Sequence, residues 1–164
     1  MTVKEMFYVA GRLRAFGRQI PANCGRFGVT DKKVEGDGAT PRGVHHITGL
    51  YYRPDRLSAP SAWANPIGLG DLWCDDPDHP LYNHLCHAPF YASHEELRRS
   101  DPQYDIVMTT DWNWPNSVSG QGSAIFVHQW RRPLARTAGC IAMGRYDLIW
   151  LSRRVKIGTR LIIS

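Results

Sequence analysis

A histidine and a cysteine lie twelve residues apart in the segment HQWRRPLARTAGC, which covers residues 128–140. Thiolates attack carbonyl carbons, and a neighbouring imidazole or positive charge is what makes a thiol reactive near neutral pH. Gly139 allows a sharp turn, so backbone amides near Cys140 can face a developing oxyanion. The aromatic ring of Trp130 can form one side of a peptide groove. The alternative is a buried structural cysteine. The pattern thus indicates Cys140 as a candidate nucleophile and His128 as its base.

The segments that must position this pair have the patterns of β-strands. MFYVAGRLRAF and RLIIS alternate in polarity, whereas YDIVMTT and GSAIFVHQW have the apolar, β-branched composition of central strands. Frequent glycine and proline turns leave room for only short helices, predicted in SHEELRRS and in GRYDLIWLSRR. We therefore expect a mainly β fold: a single-domain β-sandwich or half-open barrel of mixed sheets with one or two short helices. A helix beginning just after Cys140 would favour the thiolate through its dipole.

The length and net charge of the chain limit the classes of protein to which it can belong. A chain of 164 residues predicts one domain, residues 1–164, and we expect a monomer. The net charge of +5 comes from scattered basic residues, which predicts no nucleic-acid partner but suits an anionic one. No apolar run is long enough to cross a bilayer, so no membrane insertion is expected. The first residues show no signal peptide, which is typical of a cytoplasmic protein and equally of a chain trimmed of its export signal.

Cysteines and histidines outside residues 128–140 raise the question of a metal. A zinc site usually shows tightly paired ligands, whereas the spacing in CDDPDHPLYNHLCH is irregular. We therefore expect a long loop with its own hydrogen bonds, no metal, no cofactor and four free thiols. The residues considered for zinc are Cys74, His79, His84, Cys86 and His87, and the free thiols would be these two cysteines with Cys24 and Cys140.

The segment SAIFVHQWRRPLARTAGCIAM resembles the active-site segment of the L,D-transpeptidase (YkuD-type) family. The motif of that family is a histidine on a strand, a loop, and then Ser/Thr-x-Gly-Cys. GRFGVTDKKVEGDGATPRGVHHI is similar to the early segment of the family, which ends in a Thr-Pro-x-Gly turn. WCDDPDHPLYN, SHEELRRSDPQYDIV and DWNWPN are similar to segments of a short, single-domain bacterial branch. The resemblance covers about residues 20–164.

This resemblance implies a role for each matching residue. Cys140 matches the cysteine that accepts the acyl group, and His128 matches its base. Gly139 and Cys140 fall where the backbone donors to the oxyanion lie, and Thr137 matches the Ser/Thr of the motif. Further residues would line the substrate groove. These are Asn113, Arg131 and Thr137 from the resemblance, with Trp130, Trp112 and Trp114 as aromatic candidates.

Three positions depart from the common pattern of the family. Gln129 stands where many members have Gly or Ser, but the family uses the backbone carbonyl there to hold the histidine. Ala138 replaces a second histidine. Ala142 replaces an arginine, so a loop arginine would have to contact the substrate carboxylate. The short loop between His128 and Cys140 predicts a small lid.

The resemblance implies cysteine-dependent acyl transfer on the stem peptides of peptidoglycan. Cys140 would attack the L-centre carbonyl of the diamino acid in a tetrapeptide donor and release D-alanine, giving 3→3 cross-links or hydrolysed or exchanged products. It also implies a location in the periplasm or the cell wall. The alternative is a degenerate, non-catalytic module that binds the wall with the same fold.

Overall fold

A computed structural model describes residues 5–164 of the chain. The described residues form fourteen strands, one 3-10 turn and one α-helix. In chain order these are β1 (Glu5–Val9), β2 (Arg12–Ala15), β3 (Arg18–Asn23), β4 (Val29–Thr30), β5 (Thr40–Pro41), β6 (Gly43–Tyr52), β7 (Asn65–Pro66), β8 (Asp71–Cys74), β9 (Leu85–His87), β10 (His94–Glu96), the 3-10 turn (Pro102–Tyr104), β11 (Ile106–Thr110), β12 (Phe126–Gln129), β13 (Ile141–Met143), α1 (Arg145–Ser152) and β14 (Arg160–Ile163).

The largest sheet closes on itself like a barrel. Its strands pair in the order β11-β12-β13-β3-β2-β1-β14-β6, and β6 pairs again with β11. The ten-residue strand β6 closes this ring because its first half pairs with β14 and its second half with β11. β1 with β14 and β12 with β13 are parallel pairs, whereas the other pairs in the ring are antiparallel. The predicted mainly β fold with a barrel of mixed sheets is confirmed.

The barrel is filled by residues that alternate along its strands. Met6 and Tyr8 on β1 and Leu13 on β2 point inward, whereas Phe7 between them is exposed. Successive strand side chains face opposite sides of a sheet, so this alternation follows directly from the sequence. Leu148 on α1 packs against the same core, as the helix predicted in GRYDLIWLSRR requires.

A small second sheet pairs β10, β8 and β9 and packs against one side of the barrel. The ring of Trp73 on β8 contacts the ring of Phe126 edge to face, with centroids 5.0 Å apart. Cys140 and Tyr104 belong to the same buried cluster. The second sheet therefore covers the part of the barrel that carries the cysteine.

The helix predicted in SHEELRRS is wrong, because His94–Glu96 forms strand β10 instead. Glu95 lies opposite Trp73 of β8 in this antiparallel pair. A helix of eight residues has little stability without tertiary packing. Pairing with the free edge of β8 therefore determines the conformation of residues 94–96. The expected helix start beside Cys140 is also wrong, since β13 follows the cysteine and α1 begins only at Arg145.

The four cysteines are free and buried.

No helix within residues 5–164 has both the length and the apolar character needed to cross a bilayer.

Asp105 connects the 3-10 turn, the segment that carries Arg56 and the start of α1. It ends the 3-10 turn, and its nearly buried carboxylate accepts hydrogen bonds from Arg56 and from Arg145, each at 2.7 Å. Arg145 is the first residue of α1, so the carboxylate ties the helix to the turn that carries Tyr104. Its removal would leave two arginines without their partner in a partly buried setting.

We therefore expect Asp105→Ala to lower the free energy of unfolding by about 2–3 kcal/mol, with the lower figure allowing for the partial exposure of both arginines. Asp31→Ala is the matched control, because Asp31 forms an exposed ion pair with Arg42 and should cost less than about 1 kcal/mol. Urea denaturation of the three proteins measures both values. Equal losses in the two variants would contradict the structural role of Asp105.

Candidate active site

A cavity of about 390 Å³ opens beside the C-terminal end of β12. The loop after β12, the 3-10 turn and strand β10 surround it, so both sheets contribute to its walls. Its lining residues are Arg26, Glu95, Arg99, Gln103, Tyr104, His128, Trp130, Arg131, Ala135, Arg136, Thr137, Ala138 and Cys140. The predicted nucleophile, the predicted base and two of the predicted groove residues, Trp130 and Arg131, therefore share one cavity.

The parallel pairing of β12 and β13 puts Cys140 and His128 on the same face of the sheet. Val127 lies opposite Ile141, and His128 lies opposite Ala142. Paired residues of a sheet point to the same side and successive residues to opposite sides, so Cys140 continues the row of Ala142. Burial agrees with this register, because Val127 and Ile141 lie in the barrel core whereas Cys140 belongs to the cluster under the second sheet.

The loop before Cys140 is fixed by a glycine that no other residue can replace. Gly139 has a φ of +150°, and a Cβ there would lie 2.9 Å from the carbonyl oxygen of Ala39. The hydroxyl of Thr137 accepts a hydrogen bond from the amide of Gly139 at 3.0 Å and donates one to the carbonyl of Cys140 at 2.6 Å. Thr137 lines the cavity, but its hydroxyl is used within the loop. The amide of Gly139 is likewise engaged and does not point freely into the cavity.

Burial keeps the thiol of Cys140 protonated. Burial raises its pKa to about 12, and the nearby carboxyl of Glu95 contributes in the same direction. The amide of Phe126, which lies 3.4 Å from Sγ, and the ammonium of Lys33 offset part of this shift. The thiol itself donates to the carbonyl of Ala124 at 3.1 Å. The sequence pattern favoured a thiolate at a helix N-terminus, whereas the structure holds a neutral thiol at the start of a strand.

Burial also keeps His128 neutral. It lowers the pKa of the imidazole to about 4, although the carbonyl of Gln129 opposes the shift. That carbonyl lies 2.7 Å from Nδ1 and can only accept a hydrogen bond, so Nδ1 carries the hydrogen and Nε2 has its lone pair free. The backbone contact at position 129 is the one that the resemblance implied. The resting site therefore contains a neutral imidazole that can act as a base.

Asn113, Trp112 and Trp114, which the sequence suggests as groove residues, are not among the residues that line this cavity. The side chain of Asn113 donates to the carbonyls of Val118 and Gly122 and accepts from the amide of Val118. These three hydrogen bonds shape the loop after β11, and Asn113 has the positive φ common at turns. Trp112 bonds the same loop through the carbonyl of Gln121.

Glu95 and Tyr104 are cavity residues that sequence reasoning missed. The hydroxyl of Tyr104 donates to Oε2 of Glu95, and its ring meets the ring of His128 edge to face at 5.2 Å. Burial raises the pKa of Tyr104 well above its usual range, so the phenol stays protonated. The acidic pair Glu95–Glu96 in the sequence is typical of a helix start, and only the pairing of β10 with β8 brings Glu95 to the site.

The histidines and cysteines considered for zinc have other partners. Nδ1 of His84 bonds the carbonyl of Tyr82, and Nδ1 of His79 accepts from the amide of Leu81. His87 pairs with Asp71 across β8 and β9. In residues 5–164 no three side chains of histidine, cysteine, aspartate or glutamate are arranged to share a metal ion.

Two solved structures are similar to that of this chain. The structure resembles an L,D-transpeptidase from Mycobacterium smegmatis, with a TM-score of 0.45 and 16% identity over 98% of this chain and 59% of the other. It resembles L,D-transpeptidase 1 of Mycobacterium tuberculosis with a TM-score of 0.41 and 14% identity, over 98% and 62%. This chain thus spans about three fifths of the length of either protein. The search of curated proteins found no match.

The sequence profile of the L,D-transpeptidase catalytic domain matches residues 4–163, nearly the whole chain. The chain belongs to the L,D-transpeptidase (YkuD) catalytic domain family.

Proposed function

We propose that this protein catalyses cysteine-dependent acyl transfer on peptidoglycan stem peptides at the cell wall, with Cys140 as nucleophile and His128 as base. The observation that carries the proposal is the placement of both side chains on one face of adjoining strands, in one cavity. Membership of the L,D-transpeptidase family supports the substrate class. A buried structural cysteine would need neither an accessible cavity nor a neutral imidazole in the same cavity.

In the first step, Sγ of Cys140 attacks the L-centre carbonyl of the diamino acid in a tetrapeptide stem. Nε2 of His128 takes the thiol proton as the C–S bond forms, because neither group is ionised beforehand. The backbone amide of Cys140 is the donor best placed for the oxyanion, since the amide of Gly139 is bonded to Thr137. Collapse of the tetrahedral intermediate breaks the peptide bond, and D-alanine leaves with the proton from His128.

In the second step, an amine attacks the thioester carbonyl and restores the thiol. His128 accepts a proton from the amine and delivers it to Sγ as the C–S bond breaks. An amine from a second stem gives a 3→3 cross-link. Water in its place gives carboxypeptidase activity, and a free D-amino acid gives exchange.

Loop arginines replace the missing arginine at position 142. Ala142 is fully buried opposite His128 and offers no side chain to the cavity. Arg131 and Arg136 reach the cavity from the loop after β12, and Arg26 reaches it from the turn after β3. Guanidinium groups bind carboxylates in a planar, two-point geometry, so these residues suit the free carboxylates of a stem peptide. Trp130 lines the same side of the cavity, and its ring would pack against the bound peptide.

We expect the protein to consume disaccharide tetrapeptide and to refuse disaccharide pentapeptide. A longer stem shifts the attacked carbonyl by one residue, about 3.3 Å, and a misplacement of about 1 Å can already cost about 100-fold in rate. Mass spectrometry of separate incubations should show loss of D-alanine from the tetrapeptide only. Consumption of both stems at comparable rates would point to D,D chemistry.

Cys140→Ala and Cys140→Ser are the controls for this experiment, and both should be inactive although folded. The hydroxyl of serine is far less acidic than a thiol, so His128 would not activate it enough. Turnover by Cys140→Ala would contradict the assignment of the nucleophile. Absence of any reaction in the folded wild-type protein would favour the non-catalytic wall-binding module instead.

The side chain at position 129 should matter little compared with that of His128. We expect His128→Ala to lower the rate of acylation by a carbapenem by at least about 100-fold, the usual range for loss of a general base. Gln129→Ala keeps the backbone carbonyl that bonds Nδ1 and should stay within about threefold of wild type. Acylation is followed by intact-protein mass spectrometry. Equal losses in the two variants would mean that the amide of Gln129 acts directly.

The pH dependence of acylation should reveal the depressed pKa of His128. The base is the neutral imidazole, and a pKa of about 4 keeps it neutral throughout the mildly acidic range. The acylation rate should therefore be nearly flat between about pH 5.5 and about pH 8, and it should fall only as pH approaches the pKa of His128. An exposed histidine would instead give a midpoint near its ordinary pKa of about 6.5. A midpoint between about pH 6 and about pH 7 would disprove the neutral pair.

A further inference from the structure

Basic and acidic side chains of the cavity lie on different elements. Arg131 and Arg136 belong to the loop after β12, and Arg26 to the turn after β3. Strand β10 contributes Glu95, which is the one acidic residue that lines the cavity within residues 5–164. The proposed mechanism uses the arginines for stem carboxylates and gives Glu95 no role.

Glu95 forms no ion pair with any basic side chain within residues 5–164. Its Oε2 accepts a hydrogen bond from Tyr104. Arg99 lines the same cavity, but its guanidinium holds both carboxylate oxygens of Asp101. A carboxylate that is neither exposed nor paired is costly, and a bound cation would relieve that cost.

The surroundings of Glu95 favour a positive ligand. Burial raises the pKa of its carboxyl, the hydrogen bond from Tyr104 lowers it, and the charges of Asp75 and Glu35 raise it, while Arg99 acts against them. The charges of two further carboxyl groups therefore act on Glu95, although neither group lines the cavity. Glu95 and Cys140 line the same cavity, so a ligand held by Glu95 would share that cavity with the thioester formed on Cys140.

We propose that Glu95 binds the ammonium group of the acyl acceptor and takes its first proton. This inference rests on the proposed acyl transfer and assigns its second substrate a subsite. In it, the ammonium gives one proton to the carboxylate of Glu95 and becomes a nucleophilic amine. The amine attacks the thioester, its second proton passes through His128 to Sγ of Cys140, and Glu95 later releases its proton to water. The acceptor leaves as a neutral amide.

The partition of the acyl-enzyme between amine and water tests this role without depending on how fast the acyl-enzyme forms. The donor is disaccharide tetrapeptide, and the acceptor is a stem tripeptide with a free side-chain amine or, separately, D-methionine. We expect Glu95→Gln to lower the ratio of aminolysis to hydrolysis by at least about tenfold, because one charge-assisted contact is worth about that factor. The acceptor with the larger drop identifies whether the natural amine is a stem side chain or a free amino acid.

Two features make the comparison specific. Glutamine keeps an oxygen that can accept from Tyr104, so the pair that packs against His128 is preserved. Glu96→Gln is the matched control, because the next strand residue is exposed on the opposite face of β10 and should leave the ratio at the wild-type value. An unchanged ratio in Glu95→Gln with both acceptors would overturn the proposal.

A binding experiment decides the proposal even if the wild-type protein forms no acyl-enzyme. Calorimetry on Cys140→Ala compares the same tripeptide with its derivative acetylated on the side-chain amine. We expect the free amine to bind at least about tenfold more tightly, and Glu95→Gln in this background to remove the preference while Glu96→Gln retains it. The same affinity for both peptides in Cys140→Ala, or a preference that survives Glu95→Gln, would disprove the subsite. Failure of turnover alone would concern only the proposed function.

Discussion

The parallel pairing of β12 with β13 is the constraint on which the site depends. It sets Val127 opposite Ile141, and a shift of one residue would turn either His128 or Cys140 into the barrel core. The register is held from both sides, because β12 pairs with β11 and β13 pairs with β3 inside a closed ring of strands. A closed ring has no free edge along which a strand can slip, so the relative position of base and thiol is a property of the whole barrel.

Burial in this ring determines the protonation of the two groups. The barrel and the second sheet leave Cys140 and His128 only slightly exposed, and the charged form of each group is therefore disfavoured. Lys33, whose side chain is buried, forms an ion pair with Asp37 beside the loop that precedes Cys140, and its Nζ would be 3.7 Å from a Cβ at Gly139. This ammonium partly offsets the effect of burial on the pKa of the Cys140 thiol. The thiol therefore lies in a low-dielectric site close to a fixed positive charge.

The second sheet forms one wall of the cavity, and the side chains of this wall differ chemically from those that the barrel supplies. The barrel and the long loop supply the thiol, the imidazole and the arginines, whereas β10 and the 3-10 turn supply Glu95 and Tyr104. Asp105 ties that turn to α1 through Arg145, so the position of Tyr104 against His128 depends on the main fold. The loop wall carries Arg26, Arg131 and Arg136, whereas the wall beside β10 carries Glu95 and also Arg99, which is paired with Asp101.

Local patterns in the sequence predict strands β1, β2, β11, β12 and β14, helix α1 and the candidate pair, because alternation and turn residues are properties of neighbours along the chain. The family resemblance implies the backbone carbonyl at position 129 that holds His128. Only the tertiary structure decided that SHEELRRS pairs as a strand, that Asn113 serves its own loop and that the thiol is neutral. Each of these depends on contacts between distant segments, since the edge of β8 captures Glu95 and burial by a second sheet sets the pKa of Cys140.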